Sequence, residues 1–415
     1  MSLRNPPRAF SLLVAVSIVA ASLRAAAPAA PAGPAPLTSA LPMNIVTAPA
    51  PGAPIMRVVT NVTYLAPDRV EKLDLYLPDG RAPGVKSPAL VWIHGGSWVG
   101  GDKGEARAKE ICGTLAGAGY VAVSINYKLG RGAWPQNLLD AKNAVRFLRA
   151  HAAEYGIDPD RIAVGGGSAG GHLALMVGFT LGQSELEPTA PYPNVSSEVR
   201  AVLDLYGPAN LVLPPAADGK DSVPGMRKVM ADARGVFSAE PPPETVLRAA
   251  SPTHIATKGA PPVLIFHGKD DPIVEHTQSV ELDKVLTERG VEHVLTLVEG
   301  AQHSFDFEIS NPSAGTPKLP RDLRPEALAF LAQHLAPKPG ASTLTASMSD
   351  EQILRALQLD PTVLRAEKTQ GKDGTTTIYS DAVNEIIITR SMVSGVAVLR
   401  TKPVSQAQTW KLGRP

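Results

Sequence analysis

The chain has 415 residues and a formal net charge of +1, so it can bury a large core in one domain and carry smaller additions. Its charge is balanced, with no basic patch and no acidic tail in the sequence, which argues against nucleic acid as a partner. The nine histidines show no close ligand spacing such as H-E-x-x-H, so the sequence predicts neither a metal site nor a cofactor.

The first 27 residues have the layout of a secretory signal peptide. Arg4 and Arg8 precede an apolar stretch over 9–21, and small residues follow as far as Ala27. Because the stretch is short for a membrane span, we expect cleavage in this region, and the alternative is an uncleaved anchor. The sequence therefore predicts a secreted or periplasmic protein with no membrane span after cleavage.

Cys112 is the only cysteine, which excludes an internal disulfide in spite of the predicted export. It lies far from the cleavage region, so no lipoprotein anchor is expected there. Its neighbours have helical periodicity, which favours a small buried apolar side chain over a reactive thiol.

An Ala/Pro-rich linker is predicted over 28–54, because that composition cannot build a core. A folded domain is predicted over 55–337. It opens with two strand-like runs, Arg57 to Tyr64 and Lys72 to Leu77, whose alternation is typical of an antiparallel pair with one solvated face.

The next part of the domain alternates strands and helices. Six short apolar runs are typical of strands buried on both faces, namely 89–93, 121–125, 161–164, 201–206, 263–266 and 294–298. One helix is predicted after Pro135, and another spans Glu275 to Arg289 and ends at Gly290. The alternation predicts an α/β fold with a doubly wound, mostly parallel sheet. Ligands in such sheets bind beyond the carboxyl ends of the strands.

Two segments depart from this rhythm. Pro208 to Thr245 is a long Pro-, Ala- and Gly-containing segment that we interpret as a short cap over the site, with a disordered surface insertion as the alternative. Residues 338–415 are predicted to form a linker and a small C-terminal extension without recognisable chemistry. The extension is predicted to contain a helix over 350–359 and strands over 375–379, 385–389 and 395–400.

Residues 166–170 read Gly-Gly-Ser-Ala-Gly directly after the apolar run 161–165. This G-x-S-x-G pattern predicts a nucleophile elbow, in which a strand reverses sharply into a helix and holds Ser168 at a strained backbone angle. Glycines are needed there because larger side chains would clash with the turn or block the hydroxyl. Glycine-rich turns also bind phosphates or simply reverse the chain, so the other motifs are needed to choose between these interpretations.

A second glycine motif follows the strand predicted over 89–93. It reads His94-Gly95-Gly96-Ser97-Trp98. Because glycines at a strand end let backbone N–H groups point into a site, Gly95 and Gly96 are predicted to donate to an oxyanion. The N–H of Ala169, the residue after the nucleophile, is the other predicted donor. A tight turn without chemistry is the alternative.

Serine is a weak nucleophile and needs a base, together with an acid that orients the base. Asp270 and Asp271 both follow a predicted strand, and we favour Asp271 as the acid while Asp270 stays an alternative. His303 follows the final strand, the place of the base in this fold, so the order is Ser168, Asp271, His303. Packing or loop-bracing roles are predicted for three other histidines, His94, His172 and His267.

With these motifs the chain resembles the α/β-hydrolase superfamily, and within it the secreted esterases related to the hormone-sensitive lipase group and to feruloyl and acetylxylan esterases. The resemblance covers roughly Val58 to Leu335. The segments that carry it are 92–96, 101–103, 124–127, 155–159, 167–172 and 267–272. Ser97 departs from the pattern, because relatives usually have a third glycine there, and residues after Pro337 lie outside it.

The resemblance implies a secreted serine carboxylic ester hydrolase of the acetyl or feruloyl esterase type. In such enzymes an ester acylates the serine, here Ser168, and water then releases the acid. The substrate would be a small-molecule or polysaccharide-linked ester. Two alternatives stay open: a serine peptidase or amidase of the same fold, because the same triad cleaves amides, and a catalytically silent binding protein.

Overall fold

A computed structural model describes the chain from Met56 onward. It covers residues 56–79, 81, 85–214, 221–233, 235–237, 241–307, 319–337, 349–356, 359, 362, 364–381, 384–391, 395–402 and 408–413. The predicted signal peptide at 1–27 and the predicted linker at 28–54 lie outside the described residues, as does most of the linker predicted after Pro337. Within the described ranges, no helix is long and apolar enough to cross a bilayer.

The main domain is built from eight strands and nine helices in the part of the chain that the structure describes. The strands are β1 Met56–Val62, β2 Leu73–Pro78, β3 Ser87–Ile93, β4 Val121–Ile125, β5 Ile157–Gly167, β6 Val202–Leu205, β7 Val263–Gly268 and β8 His293–Val298. The helices are α1 Ala106–Gly117, α2 Gln136–Ala150, α3 Ala152–Tyr155, α4 Ala169–Phe179, α5 Pro224–Asp232, α6 Glu244–Ala249, α7 Pro252–Ile255, α8 Thr277–Arg289 and α9 Arg324–His334.

The eight strands form one sheet in the order β1-β2-β4-β3-β5-β6-β7-β8. Only β2 runs against its neighbours, β1 and β4, and every other pair is parallel. The prediction of a doubly wound, mostly parallel sheet is therefore confirmed. Because parallel strands end at the same edge, the loops after β3, β5, β7 and β8 lie along one side of the sheet.

Apolar side chains cover both faces of this sheet, as the continuous apolar runs predicted. Val91 and Ile93 face one core cluster, which also contains Leu138 of α2. Leu90 and Trp92 face the other, which also contains Ile111 of α1. Successive residues of one strand thus enter opposite layers. Full burial of a large apolar side chain contributes about 1.5–3 kcal/mol to the stability of the fold, so the two apolar layers together stabilise the sheet.

The predicted element bounds agree with the structure in most places and differ in two. Strand β5 begins at Ile157 rather than Arg161, because the polar residues 158–160 extend it without an apolar pattern. The predicted solvated face of the opening pair is limited to β1, since every residue of β2 is buried. Helix α8 ends where predicted, at Gly290 in the left-handed region with φ 66°.

The segment over 208–245, predicted as a cap or a disordered insertion, is helical and packed where the structure describes it. Helix α5 lies within it, and α6 begins at its end. The backbone N–H groups of Gly225 and Met226 donate to the carboxylate of Glu275, at 2.6 Å and 3.1 Å. Met226, Val229 and Phe237 are buried. The described part is therefore an ordered cap segment.

The C-terminal extension contains helix α10 and an antiparallel five-stranded sheet. The elements are α10 Asp350–Ala356, β9 Arg365–Gly371, β10 Gly374–Ser380, β11 Glu385–Ser391, β12 Gly395–Lys402 and β13 Gln408–Gly413, and the strand order is β13-β12-β11-β10-β9. Ile353 and Leu354 of α10 share a core with Ile386 and Ile388 of β11. Strands β9 and β13 were not predicted, and every residue of β9 is exposed, so β9 shows no apolar alternation.

The close approach of α4 to β3 gives a stability prediction. A Cβ at Gly170 would lie 2.0 Å from the carbonyl oxygen of Ile93, so Gly170→Ala has to push α4 off the sheet. We expect a loss of about 1–3 kcal/mol in the free energy of unfolding, measured by urea denaturation.

Gly113→Ala is the matched control, since a Cβ there meets only the Met56 side chain, at 3.5 Å. It lies in α1 and should be neutral or stabilise by about 0.5–1 kcal/mol. Equal losses in the free energy of unfolding for Gly170→Ala and Gly113→Ala would show that the contact between α4 and β3 at Gly170 is not tight.

Candidate active site

Ser168 stands between β5 and α4 in a conformation that few residues other than glycine adopt. Its φ is 56° and its ψ is −124°. The sharp turn requires glycine at position 166, because a Cβ there would lie 2.3 Å from the carbonyl oxygen of Gly170. The Ser168 N–H donates to the carbonyl of Leu205 on β6 at 2.9 Å. The turn therefore projects the hydroxyl beyond the sheet edge.

The structure brings Ser168, His303 and Asp271 into one hydrogen-bonded chain. Ser168 Oγ lies 3.0 Å from His303 Nε2, and His303 Nδ1 lies 2.6 Å from Asp271 Oδ2. Because a carboxylate only accepts, Nδ1 carries the proton and Nε2 is free to accept from the hydroxyl. A serine, an imidazole and a buried carboxylate in this order can activate the hydroxyl for attack on a carbonyl carbon.

Asp271, rather than Asp270, contacts the imidazole. The Asp271 side chain is fully buried, and its Oδ1 accepts the N–H groups of Ile273 at 2.9 Å and Val274 at 3.0 Å. Asp270 is exposed on the same loop. The two neighbouring aspartates differ in position because the chain turns just before Asp271, whose N–H donates to the carbonyl of Gly268.

The charge of Asp271 is strongly stabilised. Burial by itself would raise the pKa of its carboxyl, but polar contacts with His267 and His303 outweigh burial and hold the pKa well below its ordinary value. His267 Nε2 lies 3.3 Å from Asp271 Oδ2. The carboxylate therefore stays ionised throughout the range in which an imidazole titrates.

The loop after β3 approaches the elbow closely. A Cβ at Gly95 would lie 3.1 Å from the Ser168 Cβ and 3.0 Å from the carbonyl of Gly167. Gly96 has φ 112°, and a Cβ there would overlap the carbonyl oxygen of Gly100. Ser97 follows in the left-handed region, with φ 50°, so the position where relatives usually have glycine keeps a glycine-like backbone.

Ala169 is the first residue of α4, and its backbone N–H has no partner within the helix. The helix dipole adds a partial positive charge at this end. Gly95 lies beside Ser168, and Gly95, Gly96 and Ala169 remain the predicted donors to an oxyanion. Within the described residues no cluster of three His, Cys, Asp or Glu side chains that could hold a metal ion occurs.

Two of the other histidines brace the site, as predicted. His94 is buried, stacks on Tyr127 with ring centroids 4.5 Å apart, and contacts the Gly95 carbonyl at 2.7 Å. His172 Nδ1 accepts from Trp98 Nε1 at 3.2 Å, and its Nε2 donates to the carbonyl of Ala250 at 2.7 Å. Burial lowers the pKa of His172 to about 4, so it stays neutral and structural.

Tyr206 is a site residue that the sequence analysis missed. It follows β6 with φ 45°, and its ring packs edge-on against the His303 ring with centroids 4.8 Å apart. Its hydroxyl donates to the carbonyl of Phe305 at 2.6 Å. Arg107 of α1 donates to the neighbouring carbonyl of Ser304 at 3.0 Å. Tyr206 and Arg107 thus hold the loop that carries His303 from two sides. In the sequence, the only indication of a role for Tyr206 was its position at the end of a strand.

The cap segment packs against the loop after β3. Phe237 contacts Trp98 with ring centroids 5.1 Å apart and Trp134 with centroids 5.8 Å apart. A cavity of about 420 Å³ lies on the cap side of Phe237, and Ser168 is not among its lining residues. Its lining is mostly apolar and includes Leu211, Leu213, Met230, Ala233, Pro242 and Leu247.

Comparisons with known proteins found a matching family and similar esterases. A family model described as BD-FAE matches residues 73–286. The chain is 29% identical over 274 residues to Esterase LipQ of Mycobacterium tuberculosis, an alignment that covers 64% of this chain and 61% of the relative. The chain therefore spans about three fifths of the length of this curated relative.

Two solved structures are similar. A truncated form of a carbohydrate esterase from gut microbiota has a TM-score of 0.57 and 26% identity, over 70% of this chain and 99% of that chain. A thermophilic esterase of Thermogutta terrifontis with butyrate bound has a TM-score of 0.52 and 27% identity, over 69% of this chain and 97% of that chain. Each similarity covers about seven tenths of this chain and nearly all of the solved chain.

The contact between Asp271 and His303 predicts how fast Ser168 reacts with a fluorophosphonate, a reagent that labels activated serines. Asp271→Asn should slow labelling by about 10⁴-fold, because an amide holds the imidazole in the wrong tautomer. Asp270→Asn is the matched control and should react as the unmodified protein does. Labelling rates followed by mass spectrometry check both variants, and a slow Asp270→Asn with a fast Asp271→Asn would reverse the assignment.

Proposed function

The chain belongs to the BD-FAE family and has the α/β-hydrolase fold, and we propose that it is a carboxylic ester hydrolase that forms an acyl-enzyme on Ser168. The observation that carries this proposal is the hydrogen-bonded chain from Ser168 Oγ through His303 to Asp271 at the end of a strained elbow. The esterases among its relatives and structural neighbours support the same reaction class.

The proposed mechanism follows from the positions of the donors and acceptors. As Ser168 Oγ attacks the ester carbonyl, its proton passes to His303 Nε2, and the buried carboxylate of Asp271 stabilises the imidazolium that forms. Backbone N–H groups of Gly95, Gly96 and Ala169 stabilise the oxyanion, and one such donor typically contributes about 10²–10³-fold in rate. His303 then protonates the leaving alcohol.

Deacylation uses the same groups in the reverse direction. A water molecule gives its proton to His303 Nε2 and attacks the acyl carbon, and the second tetrahedral intermediate collapses with return of that proton to Ser168 Oγ. The free acid leaves and the serine is restored. Atoms and charges balance in these two steps without a redox partner or a metal.

For the substrate we propose acetyl or feruloyl esters, either linked to polysaccharides or small and soluble. The support is the resemblance of the motifs to esterases of this type, and the similarity to a carbohydrate esterase of known structure. The described cap segment packs on the loop after β3 through Phe237 and Trp98, so it is the part of the molecule best placed to select the acyl group.

We also propose that the protein is exported, on the strength of the signal-like residues 1–27. Expression of the full chain in a bacterial host, followed by fractionation and N-terminal sequencing, tests this. Export predicts a mature chain that begins after a residue between Ala21 and Ala27. An uncleaved chain in the membrane fraction would favour the anchor.

The esterase proposal predicts the activity of purified protein that lacks residues 1–27. It should hydrolyse acetyl or feruloyl esters faster than octanoyl esters, and Ser168→Ala should lower kcat/KM by about 10⁵-fold or more, because no other group can take the acyl group. Ser184→Ala, an exposed serine in a 3-10 turn, is the control and should be fully active. Hydrolysis of amides with no hydrolysis of any ester would replace the proposal with a peptidase.

A further inference from the structure

His267 is a buried polar group at the end of β7 that the proposed mechanism does not use. Its side chain has no exposed surface. Its Nε2 lies 2.8 Å from the carbonyl oxygen of Val274, and its Nδ1 lies 2.6 Å from Ser279 Oγ on α8. Because a carbonyl can only accept, Nε2 carries the proton, and the Ser279 hydroxyl donates to Nδ1. The ring is therefore held in one orientation and one tautomer.

This orientation places His267 Nε2, whose N–H donates to the Val274 carbonyl, beside the triad acid. Nε2 of His267 lies 3.3 Å from Asp271 Oδ2, the same oxygen that accepts the hydrogen bond from His303 Nδ1 at 2.6 Å. The other oxygen, Oδ1, accepts two backbone N–H groups, from Ile273 and Val274. Two imidazole nitrogens thus lie near one carboxylate oxygen, and the carboxylate accepts hydrogen bonds from His303, Ile273 and Val274.

We propose that His267 is a positioning residue: it fixes Val274, a donor to Asp271 Oδ1, and so holds Asp271 in line with His303, and its N–H edge beside Oδ2 offsets part of the negative charge. The proposal rests on the proposed ester hydrolase function. A carboxylate whose negative charge is partly offset by a neighbouring N–H attracts the imidazolium of His303 less strongly.

Other titratable groups face this cluster from the surrounding elements. Asp204 of β6 pairs in register with Ile265 of β7, two residues before His267, so the Asp204 and His267 side chains lie on one face of adjacent strands. Burial raises the pKa of Asp204 to about 7, against the opposing effect of His267. The groups around the His303 loop are Tyr206, Arg107, Glu105 and Asp306.

The test compares two substitutions at position 267 by their pH profiles of kcat/KM on a soluble acetyl ester. His267→Leu removes the donor, and we expect kcat to fall about 10- to 100-fold and the acidic limb of the profile to move up by about 0.5–1 pH unit. His267→Gln places an amide N–H near the position of Nε2. It should restore kcat to within a few-fold and return the limb to its original pH.

One control variant separates positioning from general damage. Asp204→Asn removes a group that titrates in the same range, and the limb should stay where it is. A limb that moves with Asp204→Asn, or a His267→Gln variant that behaves as His267→Leu does, would overturn the proposal.

An NMR titration of the histidines keeps this test separate from the proposed function. His303 of the folded protein, labelled with nitrogen-15, should hold its proton to a higher pH in His267→Leu than in the unmodified chain, whether or not any ester is hydrolysed. An unmoved titration overturns the positioning role. Absence of ester hydrolysis by the unmodified protein would instead overturn the proposed function alone.

Discussion

Ser168 is held at φ 56° by the convergence of three backbone segments, and the rest of the site depends on that constraint. Strand β5 and helix α4 meet at the serine, with Gly166 against the carbonyl of Gly170 and Gly170 against the carbonyl of Ile93 on β3. A residue kept in a sparsely populated conformation costs about 1–3 kcal/mol, so the buried layers on both sides of the sheet have to maintain it. This packing is what keeps the hydroxyl above the sheet edge.

The electrostatics of the site are arranged around one carboxylate. Asp271 accepts hydrogen bonds from His303 and from two backbone N–H groups, and His267 Nε2 lies 3.3 Å from its Oδ2. All of these groups lie on or after β7 or on the loop after β8. Such a carboxylate resists protonation, which keeps it available to orient His303. Tyr206 and Arg107 hold the His303 loop from elements that precede it in the chain. The turn between β5 and α4 thus carries the serine, the loop after β7 carries the acid, and a braced loop after β8 carries the base.

Much of this could be predicted from the sequence, for a physical reason. In a parallel sheet the loops after successive strands share one edge, so placing Ser168, Asp271 and His303 after three strands was enough to expect them together. The contacts of Tyr206 and His267 could not be predicted in this way. They depend on which face of a strand a side chain occupies and on the path of the loop from 301 to 307. The spacing of apolar residues in the sequence predicts neither of these. Strand β9 was missed because its residues, Arg365 to Gly371, are nearly all polar and show no apolar alternation.

The most direct test of this account is to identify the atom that carries the acyl group during turnover. The protein is mixed with an activated acetyl ester, quenched in acid within the first turnover, digested, and sequenced by mass spectrometry. The account predicts one acetyl group, on the peptide that contains Ser168, and none when Asp271 is replaced by Asn at the same reaction time. An acetyl group on another residue, or rapid hydrolysis with no adduct in the unmodified protein, would contradict it.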